Sequence, residues 1–270
     1  MTAQRITDQP VTASEIVVTL REKLSIKPGM VLLVHSSLSA FKRYIPGGAA
    51  AVIMALEEVL GPEGTLIMPT QSSDLTDPST WMAPPADPKW WDLIRDEMPA
   101  YDPFLTETRG MGSIPELFRL QPGVRRSCHP QLSFAAKGPL AEQIIDHHSL
   151  DFGLGEHSPL ARMYDLEAQV LFLGTTHATN TSFHLAEYRT AYRGRVELMS
   201  QAPLLTESGK EWKEFKNYNI DSDDFEALGA DFEQEHPSSW KRCTLGEADC
   251  FLASQRDMVD YAAMWLAVKR

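Results

Sequence analysis

The chain has 270 residues, 43% apolar and 23% charged, the makeup of a soluble globular protein with room for one large core or two modest domains. Lys and Arg number 25 against 37 Asp and Glu, a net charge of -12, so the basic footprint of a nucleic-acid binder is missing. Cys128, Cys243 and Cys250, an odd count without CxxC spacing, argue against a disulfide framework and a zinc–thiolate site, and no stretch approaches a membrane span.

Thr12–Glu15 reads as a capping box, and Ile16, Val17, Leu20 and Leu24 continue it as a helical stripe. The stretch before it has no apolar signal core, so the expected location is cytoplasmic. Met30–Val34 is a continuous apolar run, the pattern of a buried strand, and it ends in His35-Ser36-Ser37-Leu38. Polar residues at the carboxyl end of a buried strand mark a ligand-facing edge, although hydroxyls there also cap the next turn. Pro46-Gly47-Gly48 leads into a helix over Ala49–Leu60, and Thr65–Met68 is a second strand. Helix, strand, helix, strand is an α/β signature; neither a dinucleotide fingerprint nor a P-loop follows either strand.

Residues 69–108 differ in character, with seven prolines, Trp81, Trp90 and Trp91, and six aspartates. Only Trp90–Glu97 has the look of a short helix. An excursion this long is functional or disordered, and its aromatics argue for order. Trp rings with carboxylates suit a polar cationic ligand, or else a cover packed on the core. Helices are expected at Ile114–Arg119, Leu140–His147 and Leu160–Leu166, with a strand at Phe134–Ala136. Arg109, Arg125 and Arg126 concentrate positive charge and are candidates for phosphate contacts or for ordinary ion pairs. Gly153-Leu154-Gly155, with Ser158, forms a Gly-rich polar loop of the kind that lets backbone N–H groups approach a ligand.

Gln169–Leu173 is a strand stopped at Gly174, followed by Thr175-Thr176 and a helix starting near Asn180–Thr181. There His184 and Glu187, three apart, share one face. A carboxylate beside an imidazole fixes its tautomer and makes it a usable general base, although such pairs also decorate ordinary helix surfaces. Val196–Leu204 and Glu211–Tyr218 predict an antiparallel hairpin. The acidic run Asp221–Glu235 is a solvated face or an anionic wall for a polycation. Thr244–Glu247 reads as a second capping box, and a long helix is expected over Glu247–Arg270.

The motifs His35–Leu38, Pro46–Gly48, Pro69-Thr70, Thr108-Arg109-Gly110-Met111-Gly112, Arg126–Pro130, Gly153–Gly155, Ser158–Leu160 and Asn180–Glu187 occur together and in order. In that combination the chain resembles the aminoglycoside N3-acetyltransferase family, over nearly its whole length. The resemblance implies one three-layer α/β/α domain, residues 1–270, with a mixed central sheet and an acceptor-side excursion at 69–108. It implies acetyl-CoA as cosubstrate, no metal, and an amine of a 2-deoxystreptamine aminoglycoside as acceptor. His184 would be the general base supported by Glu187. Direct attack of an amine on a thioester also needs oxyanion donors, either backbone N–H groups or a hydroxyl, and Thr176, Thr175 and Ser36 are the candidate hydroxyls. The coenzyme side would be lined by His35, Ser36, Ser37, Leu38, Arg109, Gly110, Met111, Ser127, His129, Gly153, Gly155 and Ser158. A homo-oligomer is compatible with these features. Trp90-Trp91 and Pro84-Pro85 depart from the better-known resistance enzymes. The alternatives are therefore the same chemistry on another amine, or a non-catalytic binder of cationic antibiotics.

Overall fold

The computed structural model describes residues 8–270; the first seven, part of the stretch read as lacking a signal core, lie outside the described residues. The first half of the chain forms α1 (Ala13–Glu22), β1 (Val31–Ser36), α2 (Gly48–Leu60), β2 (Thr65–Pro69), α3 (Trp91–Glu97), α4 (Ser113–Arg119), β3 (Arg125–Arg126) and β4 (Phe134–Lys137). There follow α5 (Ala141–Ile145), α6 (Pro159–Asp165), β5 (Gln169–Leu173), α7 (Thr181–Arg189), β6 (Glu197–Thr206), β7 (Gly209–Tyr218), α8 (Phe225–Glu235), β8 (Trp240–Leu245), β9 (Ala248–Ser254) and α9 (Gln255–Lys269).

Seven strands form one sheet in the order β3-β4-β2-β1-β5-β9-β8. β1 runs parallel to β2 and β5, and the other pairings are antiparallel, so the sheet is mixed. Strand alternation divides the apolar residues between two faces. Leu32, Val34, Leu171 and Leu173 pack with α1, α2 and α4 on one side. Leu33, Val170 and Phe172 pack with α5 to α9 on the other, completing a three-layer α/β/α fold. Because both faces are covered, β1 and β5 read as apolar runs without polar alternation.

β1 and β5 point their carboxyl ends the same way and stay in register to the last pair, Ser36 with Leu173. That edge can turn sharply because Gly174 has φ +75°, and a Cβ there would lie 2.6 Å from the Ala40 Cβ. Asn180 then starts α7, its Oδ1 accepting from the Ser182 N–H at 3.1 Å.

The C-terminal region departs from expectation. The single long helix foreseen over 247–270 is instead the hairpin β8–β9 followed by α9. Cys250–Ala253 is a four-residue run buried on both faces, a strand pattern, and it pairs antiparallel with β5. Gly246, at φ +63°, makes the turn where a capping box was read, and the working cap is Ser254, whose Oγ accepts from the Asp257 N–H.

The hairpin β6–β7 forms a separate two-stranded sheet, and the excursion packs against it. Lys210 Nζ and Trp212 Nε1 both donate to the Arg95 carbonyl, and the Tyr101 N–H donates to Pro203 O at 2.8 Å. Arg126, a candidate phosphate contact, proves to be a buried strut. Its guanidinium donates to Thr70 O, Ser72 Oγ, Thr106 O, Pro103 O and Ser133 Oγ, which ties down both ends of the excursion. Arg125 pairs with Glu142 at 2.9 Å.

Helix α8 lies so close to the turn at His177 that a Cβ on Gly229 would fall 2.0 Å from His177 Cγ. In an open helix, Gly→Ala stabilises by about 1 kcal/mol. Here the new methyl overpacks, so Gly229→Ala is expected to destabilise by about 1–3 kcal/mol in denaturant titration. A more stable variant would show that α8 does not press on this turn.

Candidate active site

A cleft of about 690 Å³ opens at the carboxyl ends of β1 and β5, between the Gly110–Ser113 turn and α7. His35, Ser36, Ser37 and Leu38 line it from β1, Gly110, Met111 and Gly112 from the turn before α4, and Thr175 and His184 from the β5–α7 side. Gly110 has φ +72° and open space where a side chain would be, so the backbone is bare to a ligand there. The size lies within the usual range for small-molecule sites, about 300–1,000 Å³.

His184 is held from behind. Its Nδ1 lies 2.5 Å from Glu187 Oε2. An ionised carboxylate only accepts, so Nδ1 carries the hydrogen and Nε2 is left as the acceptor on a ring facing the cleft. Glu187 itself is fully buried, and its Oε1 accepts from Arg270 Nη1 at 2.5 Å and from the Asp221 N–H at 3.1 Å. Arg270, at the end of α9, also pairs with Asp224 at the start of α8. The Phe225 ring packs on the imidazole with centroids 4.8 Å apart.

The remaining residues singled out in the sequence sit elsewhere. Thr176 lines a smaller polar cavity with His177, Glu226, Glu233, Arg242 and Asp249, and Thr175 lines both. Arg109 is exposed beside the cleft and pairs with Asp74 at 3.4 Å. Ser127, His129, Gly153, Gly155 and Ser158 line none of the cleft. His129 Nδ1 accepts from the Gln131 and Leu132 N–H groups, Ser127 Oγ bonds His148 Nδ1 at 2.9 Å, and Ser158 caps α6. A Cβ on Gly153 would strike the His129 ring at 2.4 Å, and one on Gly155 the Tyr188 ring at 2.9 Å, so both glycines answer to packing. Trp81, Trp90 and Trp91 also lie off the cleft, which the excursion reaches only through Pro69 and Gln71 at its start and the Gly110–Ser113 turn beyond its end. Sequence reasoning missed Arg270 and His148, which no motif or periodicity marks. It also missed Phe225, legible only as a helix start.

These features match known proteins. The family model of the aminoglycoside 3-N-acetyltransferases matches residues 33–267. The chain belongs to this family. It is similar to YokD, a prophage-derived aminoglycoside N(3')-acetyltransferase-like protein of Bacillus subtilis, 46% identical over 243 residues, 90% of this chain and 88% of that one. The crystal structure of YokD superposes with a TM-score of 0.93, covering 97% of this chain and 96% of that one. Aminoglycoside N(3)-acetyltransferase VII of Streptomyces paromomycinus is 34% identical over 283 residues, 97% of this chain and 93% of its own. A solved binary complex of AAC-IIIb with CoASH is 26% identical with a TM-score of 0.84, covering 96% of this chain and 97% of that one. The chain is thus an enzyme of a transferase family, and among the described residues no helix is long and apolar enough to cross a membrane.

Burial sets the electrostatics of four histidines. It holds His35 down at about 3, helped by the neighbouring imidazoles of His184 and His177, beside which a second positive charge would be disfavoured. It holds His148 at about 4 against the opposing hydrogen bond to Gly153 O, and it lowers His129 and His177 as well. In the unfolded chain His35 and His148 take up protons near 6.5, while in the folded protein they stay neutral well below that. Their contribution is therefore fully present above pH 6.5 and is lost as pH falls from there toward 4. For His148 alone the linkage is worth about 3 kcal/mol. The thermal midpoint should fall steeply over that window, and less steeply in His148→Gln. A flat profile between pH 7 and 4.5 would contradict neutral burial.

Proposed function

We propose that this enzyme transfers an acetyl group from acetyl-CoA to the 3-amino group of a 2-deoxystreptamine aminoglycoside, with His184 as general base. The observation that carries the reading is the His184–Glu187 pair on the wall of the cleft, with its free imidazole nitrogen on the ligand side. Family membership supports the acceptor class, and the CoASH complex of a structural neighbour supports the donor. His184 Nε2 would take a proton from the neutral acceptor amine as it attacks. The amine nitrogen bonds to the thioester carbonyl carbon, the C–S bond breaks, and the thiolate leaves with that proton. Glu187 would hold the tautomer and stabilise the imidazolium. The backbone-exposing turn Gly110–Gly112 and the strand end Ser36–Leu38 suit the pantetheine arm. Thr175, whose Oγ1 is buried without a partner, replaces Thr176 as the hydroxyl available at the cleft.

A second reading keeps the chemistry and changes the amine. It is favoured by the position of the tryptophan-rich excursion, which lies against the hairpin and away from the cleft. Thiol release across aminoglycosides and simple amines separates the two readings.

His184→Ala is expected to fold, to bind acetyl-CoA normally and to lose about 10²–10⁴-fold in kcat. Glu187→Gln should lose less, since the base stays in place. A folded His184→Ala protein with near-normal kcat at saturating substrates would end the assignment.

A further inference from the structure

Eight buried side-chain N or O atoms lack a hydrogen-bond partner among the described residues. Three of them, His35 Nε2, Ser36 Oγ and Thr175 Oγ1, belong to residues lining the cleft. An unmade hydrogen bond is costly inside a protein, so such atoms gathered around one cleft mark where a ligand completes the bonding.

His35 stands apart from the two hydroxyls. It is only 5% exposed. Strand alternation puts it on the same side of the sheet as Leu33, Phe172 and α7, the helix that carries His184, whereas Ser36 faces the α4 side. Its ring stacks on Phe172 with centroids 5.2 Å apart and planes within 15°, so its direction is fixed where a hydroxyl would rotate. Buried as it is, the imidazole stays neutral at any working pH and carries one N–H. It cannot serve as a base there, but it can serve as a preorganised donor.

We propose that His35 is a catalytic residue that donates its N–H to the thioester carbonyl oxygen of the acyl donor. The inference rests on the acyl-transfer reading above. As the amine nitrogen bonds to the carbonyl carbon, the carbonyl π pair moves onto oxygen, where the His35 N–H meets it. On collapse the pair returns, the C–S bond breaks, and the thiolate takes the proton held by His184. His35 keeps its own proton throughout.

The stack on Phe172 supplies the discriminating variant. His35→Phe preserves the ring stack and removes the orphaned nitrogen, so a merely structural histidine predicts an active enzyme of equal or greater stability. A donor predicts an equal or higher thermal midpoint, a KM for acetyl-CoA within about threefold, and kcat lower by about 10²–10³-fold with a 2-deoxystreptamine aminoglycoside. His35→Gln, which retains an N–H, should recover part of the loss. A His35→Phe enzyme with wild-type kcat overturns the inference. A second measurement needs no acceptor: the infrared carbonyl band of acetyl-CoA labelled with carbon-13 at the acetyl carbonyl. The band should move to lower frequency on binding to the wild type and relax toward the free value on His35→Phe. If no aminoglycoside is turned over but the band still shifts in this way, the acceptor assignment fails and His35 stands. Equal bands for free and bound thioester overturn His35 alone, and failure of acetyl-CoA to bind overturns both readings.

Discussion

A single carboxylate, that of Glu187, has been taken wholly out of water, and much of the site's geometry follows from keeping it charged there. An isolated buried carboxylate is unstable by several kcal/mol, which only hydrogen-bonded opposite charge offsets. Four groups supply the partners: Arg270 from the end of α9, the Asp221 N–H from the loop before α8, His184 from Glu187's own helix and, at 3.5 Å, the Tyr192 hydroxyl just beyond it. The helical layer on the α7 side of the sheet is therefore pinned at one point. Any displacement of α9 or α8 there would leave the carboxylate short of a donor. The same demand fixes the His184 ring, since the carboxylate accepts only one tautomer.

The acidic balance of the chain takes on a narrower meaning in this light. Within the run Asp221–Glu235, Asp224 answers Arg270, Glu233 answers both His177 and Arg242, and Glu226 accepts from the Ala178 N–H. Those charges hold α8 against α9 and against the turn at His177 before they act at a distance. Asp231 accepts from Trp265 Nε1 at 2.8 Å and Glu235 from the Tyr261 hydroxyl at 3.0 Å, so most of this run has an internal partner.

The fold was legible wherever burial wrote a period into the sequence. β1, β2 and β5 show as apolar runs, α1 and α2 as stripes, and the His184–Glu187 pair as a face of α7. The failures have a physical pattern. Over 247–270 a strand buried on both faces and a helix are both continuous apolar stretches, and only the Gly246 turn and the Ser254 cap divide them. Arg126 reads as a phosphate contact or an ordinary ion pair, and Arg270 carries no mark at all, because their acceptors come from segments far away in the chain. Motif resemblance, for its part, does not distinguish touching a ligand from holding up what touches it. Gly153 and His129 stand together because the ring fills the space a side chain would need, with His148, unmarked in sequence, completing the contact.

Strength and adaptability are kept on different parts of the molecule. The strand ends are tied to both apolar layers, and α7 with the Glu187 cluster is tied to the layer of α5 to α9. The excursion and the hairpin contact each other and reach the core through Arg126, Tyr101 and Gln131, and the hairpin is also held by Phe152 N–H to Lys216 O, by Tyr188 to Asn217 and by the Phe215–His129 ring contact. Sequence can change in their far portions, including the Trp90-Trp91 pair, without moving His35 or His184. The strand ends and α7 can therefore keep their geometry while the far excursion varies, and a misplacement of about 1 Å at a reacting group costs far more rate than a looser hold on a distant ring.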